Sequence, residues 1–191
     1  AAFQVFPLDR FAYYTQSGAS LVGFGAKYFG ACNSTGILAG KRELVDAAFE
    51  HSFIGYETGD YDTLGRPLKL DRQEIVAVTV GLREWFAADH EARIAEHWAR
   101  ADKIMGALGD IAHLQLERHV EDNSLSNGVM LTLDEQALGQ TAAGVIAALK
   151  EGDLRIWTRG EGNRIRVAVA HLVGDEIDIL IERLRQCLTG G

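Results

Sequence analysis

Lysine is scarce in this chain: Lys27, Lys41, Lys69, Lys103 and Lys150 are the complete set. Lys27 alone stands among small and aromatic neighbours, in the run Phe24-Gly25-Ala26-Lys27-Tyr28-Phe29-Gly30. An ammonium desolvated in such a setting has a lowered pKa, and the neutral amine is a nucleophile toward carbonyl carbon. The competing reading is a lysine whose apolar stem lies on the surface while its head reaches water. Local composition alone favours that solvated form. Two arginines stand at turns, Arg66 in Gly65-Arg66-Pro67 and Arg159 before Gly160, where a guanidinium can grip a carboxylate or phosphate through two parallel bonds.

Other chemistries fit the residues less well. Gly23-Phe24-Gly25 followed by Gly30 lacks the GxGxxG spacing, and Gly36 to Lys41 is too short for a Walker loop, so tight turns account for these glycines. His90 and His97 on one helical face stand roughly 10 Å apart, too far for one metal ion. Glu57, Asp60 and Asp62 resemble a piece of a calcium loop without its spaced ligands or terminal glutamate, and a solvated acidic loop explains them better. No metal site is expected.

The elements that would position Lys27 are short apolar runs, Ala19 to Phe24 and Gly36 to Ala39. Apolar on both faces and followed by a helix, they predict buried strands of a parallel sheet. A helix from Lys41 to about His51 carries Leu44, Val45, Ala48 and Phe49 on one side, with a loop expected from Gly55 through Gly65. Asp71-x-x-Glu74 predicts a capped helix start before Ile75, Val78, Thr79, Leu82, Trp85 and Phe86. The period resumes at Ile94, Trp98, Ala101, Met105 and Leu108, so one long helix, or a helix bent near Ala87 to Asp89, spans Asp71 to Leu108.

Beyond it the pattern predicts strands at Ile111 to Val120 and Gly128 to Leu133, and a helix from Asp134 to Lys150. A hairpin of Leu154 to Thr158 with Arg164 to Ala170 follows, turning at Gly160 to Asn163, and then a last helix from Asp175 to Leu188. This second half reads as an open-faced α+β sandwich with helices on one side.

Composition limits the function classes. With 47% hydrophobic and 24% charged residues among 191, the chain is globular rather than disordered. No apolar run reaches the ~20 residues of a membrane span, and no secretory signal opens the chain, so a cytoplasmic location is expected. Nineteen basic against 27 acidic residues give a net charge of -8, which argues against nucleic acid as a partner. Cys32 and Cys187 lie far apart and suit reduced thiols.

The segment Ala19 to Val45, reading ASLVGFGAKYFGACNSTGILAGKRELV, resembles the fold-type-I pyridoxal-phosphate enzymes, in particular the group of L-seryl-tRNA(Sec) selenium transferase and D-glucosaminate-6-phosphate ammonia-lyase. The resemblance continues through GRPLKLDRQEIVAV, Gly65 to Val78, against the group's Gly-Arg-Pro-Met-Lys-Val loop. The opening Ala-Ala-Phe-Gln-Val-Phe-Pro is similar to the group's Asp-Ala-Ala-x-x-x-Pro segment, which places the cofactor-binding aspartate just before Ala1. The match departs where Ala31-Cys32 replaces the usual Gly-Pro, and where Gly25 replaces a serine shortly before the lysine.

What the resemblance implies is an α/β fold. It comprises the C-terminal part of an aspartate aminotransferase-like large domain, residues 1-86, and a small α+β C-terminal domain, residues 87-191. Lys27 becomes the catalytic and cofactor-binding Schiff-base lysine for pyridoxal 5'-phosphate, and Arg66 and Arg159 become candidates for substrate binding. The implied activity is a lyase or transferase acting on an amino acid or amino-sugar acid, through α-proton abstraction and elimination. An aminotransferase, a sulfur- or selenium-transfer enzyme, or a non-catalytic fragment of the same fold are the alternatives. A homodimer or higher homo-oligomer is expected, since sites of this group lie at subunit interfaces.

Overall fold

A computed structural model describes residues 12–59, 64–120 and 127–190. The acidic positions Asp60 and Asp62 and the opening segment read against the family lie outside the described residues. The chain divides into two compact units, Ala1–Asp89 and His90–Gly191.

In the first unit a short helix α1 (Tyr13–Gln16) precedes β1 (Leu21–Gly25), a 3-10 turn (Ala26–Phe29) and β2 (Gly36–Gly40). Three helices follow, α2 (Arg42–Glu50), α3 (Phe53–Thr58) and α4 (Arg72–Ala87). β1 and β2 pair antiparallel, Leu21 opposite Gly40 and Gly25 opposite Gly36, which corrects the parallel arrangement expected from the apolar runs. The connection Ala26–Thr35 is shorter than the dozen or more residues of a parallel crossover and holds no α-helix, so the chain folds straight back. Only one face of β1 is covered: Val22 and Phe24 are buried, while Leu21 and Gly23 look outward.

α3 corrects the loop expected after Gly55. Ser52 caps it, its hydroxyl accepting from the Gly55 amide at 3.4 Å, and Gly55 lets the helix press against the Glu50 backbone. α4 begins where Asp71 predicts, but Asp71 makes no side-chain cap bond, so the capping box is not formed. At Ala88 the backbone turns extended, with φ -70 and ψ 142, and the apolar period of Asp71 to Leu108 is carried by two helices rather than one.

The second unit opens with α5 (His90–Leu108), then β3 (Leu114–Val120), β4 (Asn127–Leu133), α6 (Glu135–Leu138), α7 (Ala142–Leu149), β5 (Arg159–Glu161), β6 (Arg164–Ala168) and α8 (Glu176–Thr189). The strands form one antiparallel sheet in the order β3-β4-β6-β5. Period-two alternation turns Val129, Leu131, Leu133, Ile165 and Val167 to one face, where they pack with Ile104 and Leu108 of α5, Val145 and Leu149 of α7, and Leu180 and Leu184 of α8.

Three expectations change here. The helix of Asp134 to Lys150 is two helices, because Gly139 turns left-handed at φ 66 and Thr141 starts α7 afresh, accepting from the Gly144 amide at 3.0 Å. Leu154 to Thr158 is not a strand, and the hairpin turns at Gly162-Asn163 between β5 and β6. His113 stands before β3, not within it: its φ of 66 belongs to the left-handed region and cannot continue a strand.

Candidate active site

Lys27 occupies the 3-10 turn directly after β1. Gly30 closes the turn in the left-handed conformation at φ 85, its amide donating to the Lys27 carbonyl at 3.1 Å. The Ala26 amide donates to the Thr35 carbonyl at 3.0 Å, and Thr35 Oγ1 donates to the Cys32 carbonyl at 2.6 Å, which ties the loop back on itself.

The turn is also bolted down from below. Ala26 and Phe29 are buried, and the Phe29 ring meets Trp85 of α4 edge-to-face at 5.4 Å. Gly81 of α4 permits the approach, since a Cβ there would lie 3.0 Å from the Phe29 carbonyl oxygen and 3.3 Å from the Ala31 nitrogen. The lysine side chain itself is exposed, its Nζ 5.3 Å from the centroid of the Tyr28 ring. Of the two readings of Lys27, the chain therefore shows the solvated head rather than a desolvated one.

Gly25 has a reason of its own. A Cβ there would stand 3.1 Å from Tyr28 Cε2, so the serine usual at this place in the family group would crowd the Tyr28 ring. Beyond the loop, Ser34, Thr35 and Gly36 line a cavity of about 230 Å³ together with Leu70, Glu74, Ile75, Val78 and Thr79. Sequence reasoning singled out neither Tyr28 nor the Ser34-Thr35 hydroxyls. The residues that line the cavity with Ser34 and Thr35 come mostly from α4, some 40 positions along the chain, and leave no local signal.

Arg66 is held by a close backbone approach. A Cβ at Gly65 would fall 1.9 Å from the Ser52 carbonyl oxygen, so only glycine lets this loop rest on the start of α3. The Arg66 guanidinium then lies 5.8 Å from both the Phe53 and Tyr56 rings, an i,i+3 aromatic pair on α3. Arg159 belongs to the second unit, exposed on β5 and directly opposite Arg166 of β6. Lys27 and Arg66 thus share the first unit and Arg159 does not. Among the described residues no group of three or more His, Cys, Asp or Glu side chains is arranged to hold a metal ion. Nor is any described helix long and apolar enough to cross a membrane.

The residues present fit pyridoxal phosphate in one respect, an accessible primary amine on a rigid turn at the end of a strand. Lys27 would make the covalent link. Among the described residues Lys27 has no salt-bridge partner.

The α/β architecture is that of the fold-type-I pyridoxal-phosphate enzymes. D-glucosaminate-6-phosphate ammonia-lyase superposes with a TM-score of 0.63 at 19% identity, over 93% of this chain and 46% of that one. Mouse CSAD gives 0.51 at 16% identity, over 91% and 40%. At these identities the likeness is one of fold. In sequence, a Streptomyces 5'-C-glycyluridine monooxygenase-decarboxylase is 29% identical over 148 residues, which are 76% of this chain and 35% of the relative. No family model matches the chain. The chain therefore spans between about a third and a half of the length of these proteins.

Proposed function

We propose that the chain is the lysine-bearing portion of a pyridoxal-phosphate-dependent lyase or transferase acting on an amino acid or amino-sugar acid, with Lys27 as its catalytic residue. The observation that carries this reading is the lysine's mounting: an exposed amine on a turn that β1, β2 and α4 fix on three sides. Pyridoxal phosphate, when bound, supplies an electron sink for negative charge at the substrate's α-carbon.

The rest falls to the protein. Lys27 Nζ would hold the cofactor and, as a free amine, would be the base that takes the proton from the substrate's α-carbon. Arg66 is the better placed arginine for a substrate carboxylate or phosphate, since it shares a unit with Lys27 and its guanidinium carbon lies 5.8 Å from two aromatic rings. The apolar side chains exposed on the first unit, among them Phe49, Leu68, Val76 and Phe86, support assembly into a homo-oligomer. A cytoplasmic location fits the same reading.

A second reading comes from the Streptomyces relative, whose name describes oxidative loss of carbon dioxide from a glycyl-bearing nucleoside. The two differ in products. Elimination releases ammonia and a 2-keto acid, whereas the second consumes oxygen and releases carbon dioxide.

The deciding experiment mixes the chain with pyridoxal phosphate, reduces with borohydride and maps the modified lysine by peptide mass. Labelling confined to Lys27 among the five lysines, and lost in Lys27→Ala, is the expected result. Labelling nowhere, or spread evenly over the lysines, overturns the assignment and leaves a non-catalytic scaffold.

A further inference from the structure

The outward side of α4 carries a charge pattern that the helix alone does not explain. Arg72, Val76, Val80 and Glu84 follow one another at steps of four residues and so form a single ridge along the helix. All four are exposed, Val76 at 60% and Val80 at 41%. The side that packs inward is the other one, where Gly81 meets the Phe29–Ala31 backbone and Trp85 is buried. Beside the ridge, Ile75 and Thr79 are exposed as well. Thr79 Oγ1 donates to the Ile75 carbonyl at 2.9 Å, so this hydroxyl is satisfied within the helix and asks nothing of a partner.

Both charges stand at the unfavourable end for their own helix. Arg72 is the first helical residue, at the positive end of the macrodipole, and Glu84 lies in the last turn, at the negative end. Among the described residues Arg72 has no ion-pair partner. Glu84 meets its chain neighbour Arg83 at 3.4 Å, both side chains largely in water, a contact of little energetic weight.

A second α4 running antiparallel corrects both placements at once. The ridge reads Arg-Val-Val-Glu, and turned end for end it is complementary to itself. A two-fold axis level with Val78 sets Arg72 against the partner's Glu84 and Val76 against the partner's Val80, each pair occurring twice. Interlocking of such four-residue ridges is the commonest way two helices pack, and an apolar centre with charges at its rim is the usual make-up of a protein interface. Leu70, 64% exposed just ahead of α4, extends the apolar part.

We infer that α4 is a self-association surface, on which a second copy of this chain docks antiparallel across the Arg72-Val76-Val80-Glu84 ridge. The inference rests on the homo-oligomer proposed above and names the face that makes it. Lys27 has no part in it.

The test is sedimentation equilibrium of the full chain over a range of concentrations, with charge reversals at the two ends of the ridge. Arg72→Glu and Glu84→Arg each oppose like charges at both rims of the interface, and each should weaken dimerisation about tenfold or more. Both reversals suit the helix macrodipole, so α4 itself is not weakened, and circular dichroism checks this. An equimolar mixture of the two single variants should dimerise like the unaltered chain, because every rim contact then joins opposite charges. Val76→Lys, which places a better helix former at an exposed position, should leave a monomer where the unaltered chain is a dimer. A dimer unchanged by either reversal overturns this interface and leaves the homo-oligomer to another face. Weakening in both variants without recovery in the mixture overturns the antiparallel pairing. A chain that is monomeric at every concentration overturns the inference and the homo-oligomer together, and assigns the ridge to a different partner.

Discussion

Among the described residues the first unit buries five hydrophobic side chains, Val22, Phe24, Ala26, Phe29 and Trp85, whereas the second gathers sixteen into one cluster between sheet and helices. Both contain good helices and well-registered strands. The first unit spends its few buried contacts on the turn that carries Lys27, and its helix α2 buries no residue at all. The second spends its contacts on a closed core and leaves one polar sheet face open. Regular secondary structure therefore says little about where stability lies. A lysine that has to be rigid can sit in a thin unit, provided the contacts it has are directed at its own backbone.

The comparison can be broken most sharply by truncation. Leu131→Ala, in the middle of the second core, should cost about 3–5 kcal/mol, while Val22→Ala in the first unit should cost about 1–2 kcal/mol. Urea unfolding followed through amide exchange in β4 and in β1 separates the two. Equal losses would mean that the first unit is held by more than the contacts described.

A smaller effect tests the mounting of Lys27 directly. Gly81→Ala forces a few tenths of an ångström between α4 and the Phe29–Ala31 backbone and should cost roughly 1 kcal/mol. Labelling of Lys27 by pyridoxal phosphate and borohydride should then lose selectivity over Lys41 and Lys69. Unchanged selectivity would show that α4 does not position the amine.

The smallest effect is a pH slope. His119 has its folded pKa lowered below 6.5 by burial and then by the Arg166 and Arg164 charges, so its neutral form is favoured in the folded state. That contribution is fully present above pH 6.5 and is lost as pH falls through the folded value. His119→Gln should flatten this part of the stability profile of the second unit, measured by urea midpoints between neutral and mildly acidic pH.

How far these features could be read in advance depends on the distance over which their causes act. The start of α4 after Asp71 and the apolar stripe of α8 were legible, because cap residues and a 3.6-residue period are local. The direction of β2 was not, since an apolar run looks the same in a parallel and an antiparallel sheet. The break at Gly139 was written in the chain as a glycine followed by the capping residue Thr141, but the flanking alanines and leucines masked it. Lys27 could be picked out from its neighbours, yet its solvated head and its support by Gly81 depend on a helix far along the chain. Arg66 was visible in its loop, and the rings that orient it were not.

The order β3-β4-β6-β5 has a kinetic consequence. β3 with β4 and β5 with β6 are hairpins that close over short spans of chain, whereas β4 meets β6 only after α6 and α7 have been looped out between them. That closure carries the largest loop-entropy cost of the three strand pairings, and the expected consequence is that it forms after the two hairpins. The polar face running from Glu117 on β3 to Arg159 on β5 is then continuous only once the two hairpins have joined.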